Sequence, residues 1–427
     1  MEFELYYETT GVSIDTRKIE KNNLFICLKG NNFNGNDFVI QALEKGAKYV
    51  ISDDIKNKKI KNVILVENSL KYLQNLANYH RNKFDIPIIG ITGTNGKTTT
   101  KELVSIVLSQ KYNTLFTEGN LNNHIGVPLT LLKLKKNHEI AVIEMGANKP
   151  GDIKELVDIT QPTHGIVTNM GKAHLEGFIS FDGVQRTKSE MYDFLSKNNS
   201  TIFYNEDDEI LKSNLINHKI NLIPYSSNFD SYIKGKLISM TPYIKMEWKH
   251  QEYQSPIIES KMIGSYNYYN FLAAICIGKF FGVENEKINH AISNYEPSNN
   301  RSQIEKTENN LIILDAYNAN PTSMKNAIES FNSMEAENKL LILGDMFELG
   351  ADSIEEHKRI IELTKTLKLK TLFVGEHFYN INEKSDSLFF KNKDEIKSYL
   401  SKNRPNNNLI LLKASRGIGL ETIKDIL

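Results

Sequence analysis

The 427-residue chain has little of several features that mark specialised classes of protein. It holds two cysteines, Cys27 and Cys276, which lie in apolar segments far apart in the sequence. This usage argues against a disulfide-stapled secreted domain and predicts buried free thiols in a reducing cytosol. No apolar run reaches the about 18 residues that a membrane span needs. The best stretch, "FLAAICIGKFFG", is interrupted by Lys279, so we expect no membrane insertion.

Net charge is also lacking, because 52 basic residues balance 52 acidic ones. This balance gives no reason to expect nucleic acid or an anionic membrane as a partner. The opening residues "MEFELYYETTG" show no basic start followed by an apolar stretch, so we expect no secretory leader and a cytoplasmic location. With no evident apolar surface stripe, a monomer is the expected state.

What the chain does have is a regular alternation of strand-like and helical segments. Its length predicts two to four domains at about 150 residues each. Three blocks follow this alternation: residues 1–84, 85–298 and 299–427. Strands such as "NVILVE", "EIAVIE" and "KLLILG" stand between longer helical patterns. The fold class is therefore α/β, with mainly parallel sheets in each block.

A glycine-rich turn opens the second block. The segment "GITGTNGKTTTK" at residues 90–101 follows the strand-like "FDIPIIG" and precedes an apolar helical pattern. In such a context backbone N–H groups and the helix start face an anion, Lys97 neutralises it, and the Thr98 hydroxyl can reach Mg²⁺. The strict pattern wants a glycine where Ile91 stands, so only the shorter "GTNGKTT" remains. The segment indicates nucleotide phosphate, and the alternative is a merely tight connection.

Three further residues of the second block could carry chemistry. Glu144 ends the strand "EIAVIE", where a carboxylate can ligate Mg²⁺, although it could also be an exposed strand-end acid. His174 follows the next strand and could bind metal or phosphate or act as a structural hydrogen bonder. Lys188, in "QRTKSEMYDFL", reads from the residues alone as a solvated charge on a helix.

The third block carries a second group of polar residues at strand ends. Asp315, in "ILDAYNANPTSM", could accept from a ribose hydroxyl, and Pro321 starts the next helix. Arg301 could reach phosphate or be a hinge residue. The strand end "LLKASRG" predicts an anion site for a substrate carboxylate or a plain basic turn; its residues are Lys413, Ser415 and Arg416. In "SIEE", Ser353 and Glu356 predict a capping box.

Taken in order, these segments resemble the Mur ligases, the ATP-dependent amide-forming enzymes of peptidoglycan precursor synthesis. The shortened "GTNGKTT" is similar to that family's loop. The stretches "GNLNNHIGVPLTLL", "IEMGANKPGDI", "DAYNANPTSM", "GDMFELG" and "LLKASRGIGLE" resemble members that add D-alanyl-D-alanine to UDP-N-acetylmuramoyl-tripeptide. The N-terminal "GVSIDTRKIEKNNLFICLKG" resembles a UDP-binding domain.

The resemblance implies a three-domain enzyme with ATP and Mg²⁺ as cofactors and small-molecule substrates. Residues 1–84 would bind the UDP substrate, residues 85–298 would hold ATP on a parallel or mixed sheet with helices on both faces, and a Rossmann-like domain at 299–427 would bind adenosine and the dipeptide. Lys188 matches the lysine that the family carbamylates. The implied catalytic group is Lys97, Lys188, Glu144 and His174, and the implied metal group is Thr98, Glu144, His174 and the carbamate of Lys188.

The remaining implied sites concern the nucleotide and the substrates. The nucleotide set is Gly93, Thr94, Asn95, Gly96, Lys97, Thr98, Thr99, Asn267, Asn270, Arg301, Asp315 and Asn318. The substrate set is Thr16, Arg17, Asn31, Phe33, Asn123, Lys413, Ser415 and Arg416. Against the family pattern, Tyr266 stands for a histidine and Asn300 for a glycine. Alternatives are a tripeptide-forming or folylpolyglutamate-type ligase, or a non-catalytic nucleotide-binding protein.

Overall fold

The computed structural model describes residues 3–240, 243–297, 301–381 and 387–427. Its strands, in chain order, are β1 (Val12–Ser13), β2 (Leu24–Ile26), β3 (Lys29–Gly30), β4 (Phe33–Asn34), β5 (Tyr49–Ser52), β6 (Val63–Leu65), β7 (Ile88–Thr92), β8 (Thr114–Phe116), β9 (Ile140–Glu144), β10 (His164–Val167), β11 (Thr201–Asn205), β12 (Asn221–Ser226), β13 (Ile233–Ser239), β14 (Lys245–His250), β15 (Tyr253–Gln254), β16 (Ile258–Glu259), β17 (Gln303–Lys306), β18 (Asn310–Asp315), β19 (Lys339–Gly344), β20 (Thr371–Val374), β21 (Leu388–Phe390) and β22 (Asn408–Lys413).

The α-helices alternate with these strands. They are α1 (Val39–Glu44), α2 (Ser69–Arg81), α3 (Lys97–Leu108), α4 (Gly126–Leu131), α5 (Asp152–Thr160), α6 (Leu175–Phe178), α7 (Phe181–Lys197), α8 (Glu209–Leu215), α9 (Tyr266–Phe280), α10 (Asn285–Asn294), α11 (Pro321–Ser333), α12 (Ser353–Thr366), α13 (Glu376–Ile381) and α14 (Lys393–Lys402). Short 3₁₀ helices span Glu4–Glu8, Thr16–Lys18, Gly35–Phe38, Ile55–Lys59, Gly350–Asp352, Arg416–Ile418 and Leu420–Ile426. Within the described ranges, no helix is both long and apolar enough to cross a bilayer.

The chain forms two compact units. The first comprises Met1–Ile91, Tyr112–Ala147 and Asp152–Gly165, and the second comprises Thr92–Lys111, Asn148–Gly151 and Ile166–Leu427. The predicted division into three blocks stays a prediction, and its second boundary falls among residues 298–300, which are not described.

The first unit is built on parallel strands. One sheet has the order β1–β2–β5–β6, all parallel, and packs a small core that includes Phe25, Val39 and Val50. Strand β9 lies between β7 and β8, parallel to both. Every residue of β7 and β9 is buried. A parallel strand covered on both faces carries mostly apolar residues, which explains the nearly continuous apolar runs in "IIGIT" and "IAVIE".

The second unit contains a mixed sheet followed by a six-stranded one. In the first, the order is β10–β11–β12–β13–β14–β15, parallel from β11 to β13 and antiparallel at β13–β14. In the second, the order among described strands is β17–β18–β22–β19–β20–β21, with only β17 antiparallel. These sheets confirm the predicted α/β class with a parallel-to-mixed arrangement.

The six-stranded sheet is covered on both faces because its side chains alternate. Ile313, Leu341 and Leu411 pack with α11 and α12, whereas Ile312, Leu340 and Leu412 pack with α14 and the C-terminal 3₁₀ segment. Neighbouring residues of a strand point to opposite faces, so two separate cores form. The carboxyl ends of β18, β19 and β22 then lie together at one edge.

Two local predictions have clear outcomes. Cys27 and Cys276 are buried free thiols, as predicted. The capping box predicted at Ser353 and Glu356 is wrong, because Asp352 occupies the N-cap position with no side-chain cap and Ser353 is already helical. The Glu356 carboxylate instead accepts from Lys172 Nζ at 2.9 Å and Arg359 Nη1 at 2.9 Å.

Candidate active site

The glycine-rich turn lies between β7 and α3, as the sequence predicts. Gly96 is the N-cap of α3 with φ of 78°, and the helix start has neither a side-chain cap nor an acidic residue in its first turn. The first N–H groups of a helix have no acceptor inside it, and its dipole favours negative charge there. The structure therefore leaves the start of α3 suited to a phosphate group.

Lys97 adds a positive charge to the same turn. Its ammonium donates to the carbonyls of Gly93 at 2.9 Å and Thr94 at 3.0 Å. Thr98 and Thr99 follow in the first turn of α3, and both are buried. This turn therefore combines a cation, a hydroxyl and an uncapped helix start. These three groups together suit the phosphate chain of a nucleotide.

The turn is fixed by residues that follow β10. Thr168 Oγ1 donates to the Asn95 carbonyl at 2.6 Å, and Asn169 Oδ1 accepts from the Asn95 N–H at 3.0 Å. A Cβ on Gly93 would lie 1.9 Å from Thr168 Oγ1, and Gly93 has φ of 145°. Only glycine fits this position. The sequence reasoning missed Thr168 and Asn169, although polar residues after a parallel strand were a usable signal.

Lys188 is buried on α7, so its interpretation as a solvated charge is wrong. The side chain is 3% exposed, and its ammonium lies 5.9 Å from the centroid of the Phe178 ring. Over the described ranges no carboxylate pairs with it. Burial lowers the pKa of Lys188 well below its usual value, and the positive charge of Lys97 lowers it further. This shift favours the neutral, nucleophilic amine over the ammonium.

His174 lies at the start of α6 and contacts the carboxylate of Glu348. The contact joins His174 Nδ1 to Glu348 Oε2, and the hydrogen bond from His174 lowers the pKa of Glu348. Both residues have positive φ, of 49° and 62°. Glu348 was not singled out from the sequence, although it lies in the quoted stretch "GDMFELG".

Glu144 ends β9 in the first unit and is 1% exposed, so the exposed-acid interpretation is wrong. Asn122 Nδ2 donates to Glu144 Oε1 at 2.7 Å, and the Glu144 N–H donates to Thr117 Oγ1 at 2.9 Å. A buried carboxylate oriented by an amide suits a hard cation such as Mg²⁺. Among the described residues, no group of three or more His, Cys, Asp or Glu side chains is placed so that it could hold a metal ion.

Helix α9 places two buried asparagines against the turn. Asn270 Oδ1 accepts from Thr100 Oγ1 at 3.1 Å, and Asn270 Nδ2 donates to Asn267 Oδ1 at 2.9 Å. Tyr266, the residue that replaces a histidine, shares a 2.8 Å hydrogen bond with Ser302. Asn300 lies outside the described residues.

Residues 301–318 and 413–416 bring two arginines to the ring of Tyr317. The Arg301 guanidinium lies 3.7 Å from the centroid of the Tyr317 ring, and that of Arg416 lies 5.3 Å from it. Among described atoms Arg301 Nε is buried without a partner. Asn318 is exposed and its Oδ1 accepts from Ala319 N–H at 2.9 Å.

The positive charge of Lys413 is balanced by a neighbouring carboxylate. Its ammonium donates to Asp315 Oδ2 at 2.6 Å, and the two side chains are 2% and 15% exposed. The Ser415 hydroxyl accepts from Phe347 N–H at 3.0 Å and lies 3.3 Å from the Ala319 carbonyl. Of the three residues predicted at this anion site, Arg416 alone is exposed. The Asp315 carboxylate thus balances the charge of Lys413, and the contact of Lys413 with a substrate carboxylate stays a prediction.

The substrate residues predicted in the first unit lie mostly on its surface. Arg17 pairs with Asp15 at 2.8 Å, and Phe33 is 52% exposed on the β3–β4 ribbon beside exposed Asn31. Thr16 begins a 3₁₀ helix. Asn123 Oδ1 accepts from Gly126 N–H at 2.9 Å at the start of α4. Exposed Phe33 and Asn31 are open to a ligand.

The whole chain matches models of one family and full-length relatives. The Mur ligase middle domain matches residues 91–278, the Mur ligase glutamate ligase domain matches 300–416, and the model described as "Mur ligase family, catalytic domain" matches 8–83. The UDP-N-acetylmuramoyl-tripeptide–D-alanyl-D-alanine ligase of Bacillus subtilis (strain 168) is 36% identical, over 99% of this chain and 94% of its own length. The chain belongs to the Mur ligase family.

Solved Mur ligase structures share the fold. MurF from Acinetobacter baumannii gives a TM-score of 0.88 at 28% identity, covering 97% of this chain and 92% of that one. The MurF ligase of Thermotoga maritima in complex with ADP gives 0.87 at 26% identity, covering 98% and 97%. This Mur ligase therefore matches such enzymes along nearly its entire length.

Several functional candidates of this Mur ligase emerge only from the structure. They share contact with a predicted site residue: Asn122 with Glu144, Asn169 with Asn95, Tyr317 with Arg301 and Glu348 with His174. Asn122, Tyr317 and Glu348 stand inside stretches that the sequence had marked, whereas Asn169 required knowledge of which loops meet.

Proposed function

We propose that this Mur ligase joins D-alanyl-D-alanine to UDP-N-acetylmuramoyl-tripeptide with hydrolysis of ATP to ADP and phosphate. The observation that carries the proposal is similarity to D-alanyl-D-alanine-adding ligases along almost the full length of both chains. The uncapped start of α3 beside Lys97 supports ATP as the source of energy. The location is the cytoplasm, and the working form is a monomer.

The chemistry follows from the poor reactivity of a carboxylate. The terminal carboxylate of the tripeptide attacks the γ-phosphorus of ATP, and the bond from that phosphorus to ADP breaks. The free amine of D-alanyl-D-alanine then attacks the acyl carbon, forming the C–N bond and losing a proton. The bond from that carbon to the bridging oxygen breaks, and phosphate leaves with its electron pair. Positioning and charge neutralisation supply most of the rate.

The roles of the chain's own residues follow from their chemistry. Lys97 and the α3 N–H groups hold the phosphates, and Asn267, Asn270, Arg301, Asp315 and Asn318 hold the rest of the nucleotide. Lys188, with a lowered pKa, is carbamylated and offers a carboxylate-like group. Mg²⁺ supplies charge neutralisation on phosphate oxygens, with Thr98, Glu144, His174 and the carbamate of Lys188 as its candidate ligands.

The substrate roles divide among the three predicted domains. Thr16, Arg17, Asn31 and Phe33 contact the UDP moiety in residues 1–84. Asn123, in residues 85–298, contacts the peptide part of the UDP substrate. Ser415 and Arg416 hold the dipeptide in residues 299–427, with Lys413 beside them paired to Asp315.

The test is phosphate release with ATP, Mg²⁺, UDP-N-acetylmuramoyl-tripeptide and D-alanyl-D-alanine, omitting each in turn. We expect release to require all four, with a UDP-linked pentapeptide as product. Release with UDP-N-acetylmuramoyl-dipeptide and a diamino acid would indicate the tripeptide-forming step, and release with a folate and glutamate would indicate the folylpolyglutamate type. ATP binding without release under any condition would indicate a non-catalytic protein.

A further inference from the structure

Asn320 contacts the phosphate-binding turn without belonging to any predicted site. Its Nδ2 donates to Asn95 Oδ1 at 2.8 Å. In the other direction, Asn95 Nδ2 donates to Asn320 Oδ1 at the longer distance of 3.5 Å. Asn320 is 8% exposed, so this amide pair is largely shielded from water. In such surroundings a lost partner is not simply replaced by solvent.

The same side chain also caps α11. Asn320 Oδ1 accepts from Ser323 N–H at 2.9 Å, while the Asn320 N–H donates to Ser323 Oγ at 3.0 Å. Pro321 stands at the first helical position. The capping box fixes the rotamer of Asn320, so that its Nδ2 is held in the direction of Asn95 before any nucleotide binds.

The contact completes the set of bonds that hold residue 95. The backbone of Asn95 is held by Thr168 and Asn169, and its side chain is held by Asn320. Gly96, the N-cap of α3, and Lys97 follow at once in the chain. A rotation at residue 95 therefore moves the N–H groups and the ammonium that face the phosphates.

We propose that Asn320 is a positioning residue that sets the affinity of this Mur ligase for ATP by orienting Asn95 in the phosphate-binding turn. The inference rests on the proposed use of ATP. Asn320 then has two separate roles: it caps α11, and it contributes to the affinity for the nucleotide.

The two roles of Asn320 are separable by substitution. Asn320→Ser keeps an N-cap oxygen of comparable strength and removes the amide donor. The matched control is Asn392→Ser, because Asn392 caps α14 by accepting from Asp394 N–H at 3.0 Å and Glu395 N–H at 3.1 Å and lies on the surface. Both variants make the same chemical change at a helix N-cap.

The readout is calorimetric binding of a non-hydrolysable ATP analogue with Mg²⁺, independent of turnover. We expect Asn320→Ser to weaken binding about three- to tenfold, the range that loss of one neutral hydrogen bond gives, and to lower the melting temperature by no more than a few degrees. Asn392→Ser should bind like the wild type. In turnover, KM for ATP should rise while kcat and KM for the UDP substrate stay constant.

A double-substitution cycle completes the test. Asn95→Ala should weaken binding by a similar factor, and adding Asn320→Ser to it should cause no further loss. Wild-type affinity in Asn320→Ser, or equal losses that multiply in the double variant, would overturn the inference while leaving the proposed function intact. A wild-type chain that binds no ATP analogue would overturn the proposed function and the inference with it.

Discussion

Replacing Asp315 with asparagine leaves the buried positive charge of Lys413 without a paired negative charge. The pair is 2.6 Å apart, and the Lys413 side chain is 2% exposed. At an effective dielectric constant of about 20, the attraction at this distance is about 6 kcal/mol before desolvation is counted. Removing one partner of a buried pair costs about 3–5 kcal/mol, because the other charge stays buried without compensation.

The structure places the expected cost of Asp315→Asn at the lower end, about 3 kcal/mol. Asp315 is 15% exposed, so water can approach, and the Asn318 carbonyl lies 3.4 Å from Lys413 Nζ. The double variant Asp315→Asn with Lys413→Met should recover most of the loss, because neither side chain is then charged.

Amide hydrogen exchange measures this effect locally. The free energy of opening for amides of β18 and β22 should fall in Asp315→Asn without nucleotide present. The control is Asp158→Asn, since Asp158 pairs with Lys154 at 2.7 Å but the two side chains are 52% and 70% exposed. That variant should lose about 0–1 kcal/mol. An Asp315→Asn loss below about 1 kcal/mol would refute the view that Lys413 depends on Asp315 for its charge balance.

Three further predictions concern the turn, Lys188 and acid stability. Gly93→Ala should cost about 1–3 kcal/mol in strain and abolish ATP affinity, while Gly11→Ala, with φ of 141° and nothing within 4 Å of its Cβ, should keep that affinity. Activity should fall in buffer freed of CO₂ and return with bicarbonate, because the neutral Lys188 amine adds CO₂ and releases a proton; Lys188→Ala should show no return, and full activity without CO₂ would contradict the carbamate. Burial lowers the pKa of His164 to about 4, so the unfolded chain binds the proton first. Stability should therefore fall by up to about 3 kcal/mol as pH drops from about 6.5 to about 4. A thermal-melting series should show a flatter profile in His164→Gln, and an unchanged profile would contradict this cause.

Contacts between distant loops explain why parts of the site escaped sequence reasoning. Lys188 reads as a solvated helical lysine because polar residues surround it in sequence, whereas α7 turns that position into the protein interior. Lys413 reads as a free cation until β18 and β22 pair side by side and bring Asp315 to it. Neither outcome is encoded in local spacing.

The sequence alone determined the α/β class, the buried thiols and the glycine-rich turn between β7 and α3. Each rests on short-range physics: apolar runs that suit covered parallel strands, cysteines within such runs, and glycines where the backbone needs positive φ. Only the tertiary structure decided which polar groups share a surface, since burial and pairing depend on residues far apart in the chain. Three features arise only from tertiary contacts: the lowered pKa of Lys188, the contact of His174 with Glu348, and the hydrogen bond from Asn320 to Asn95.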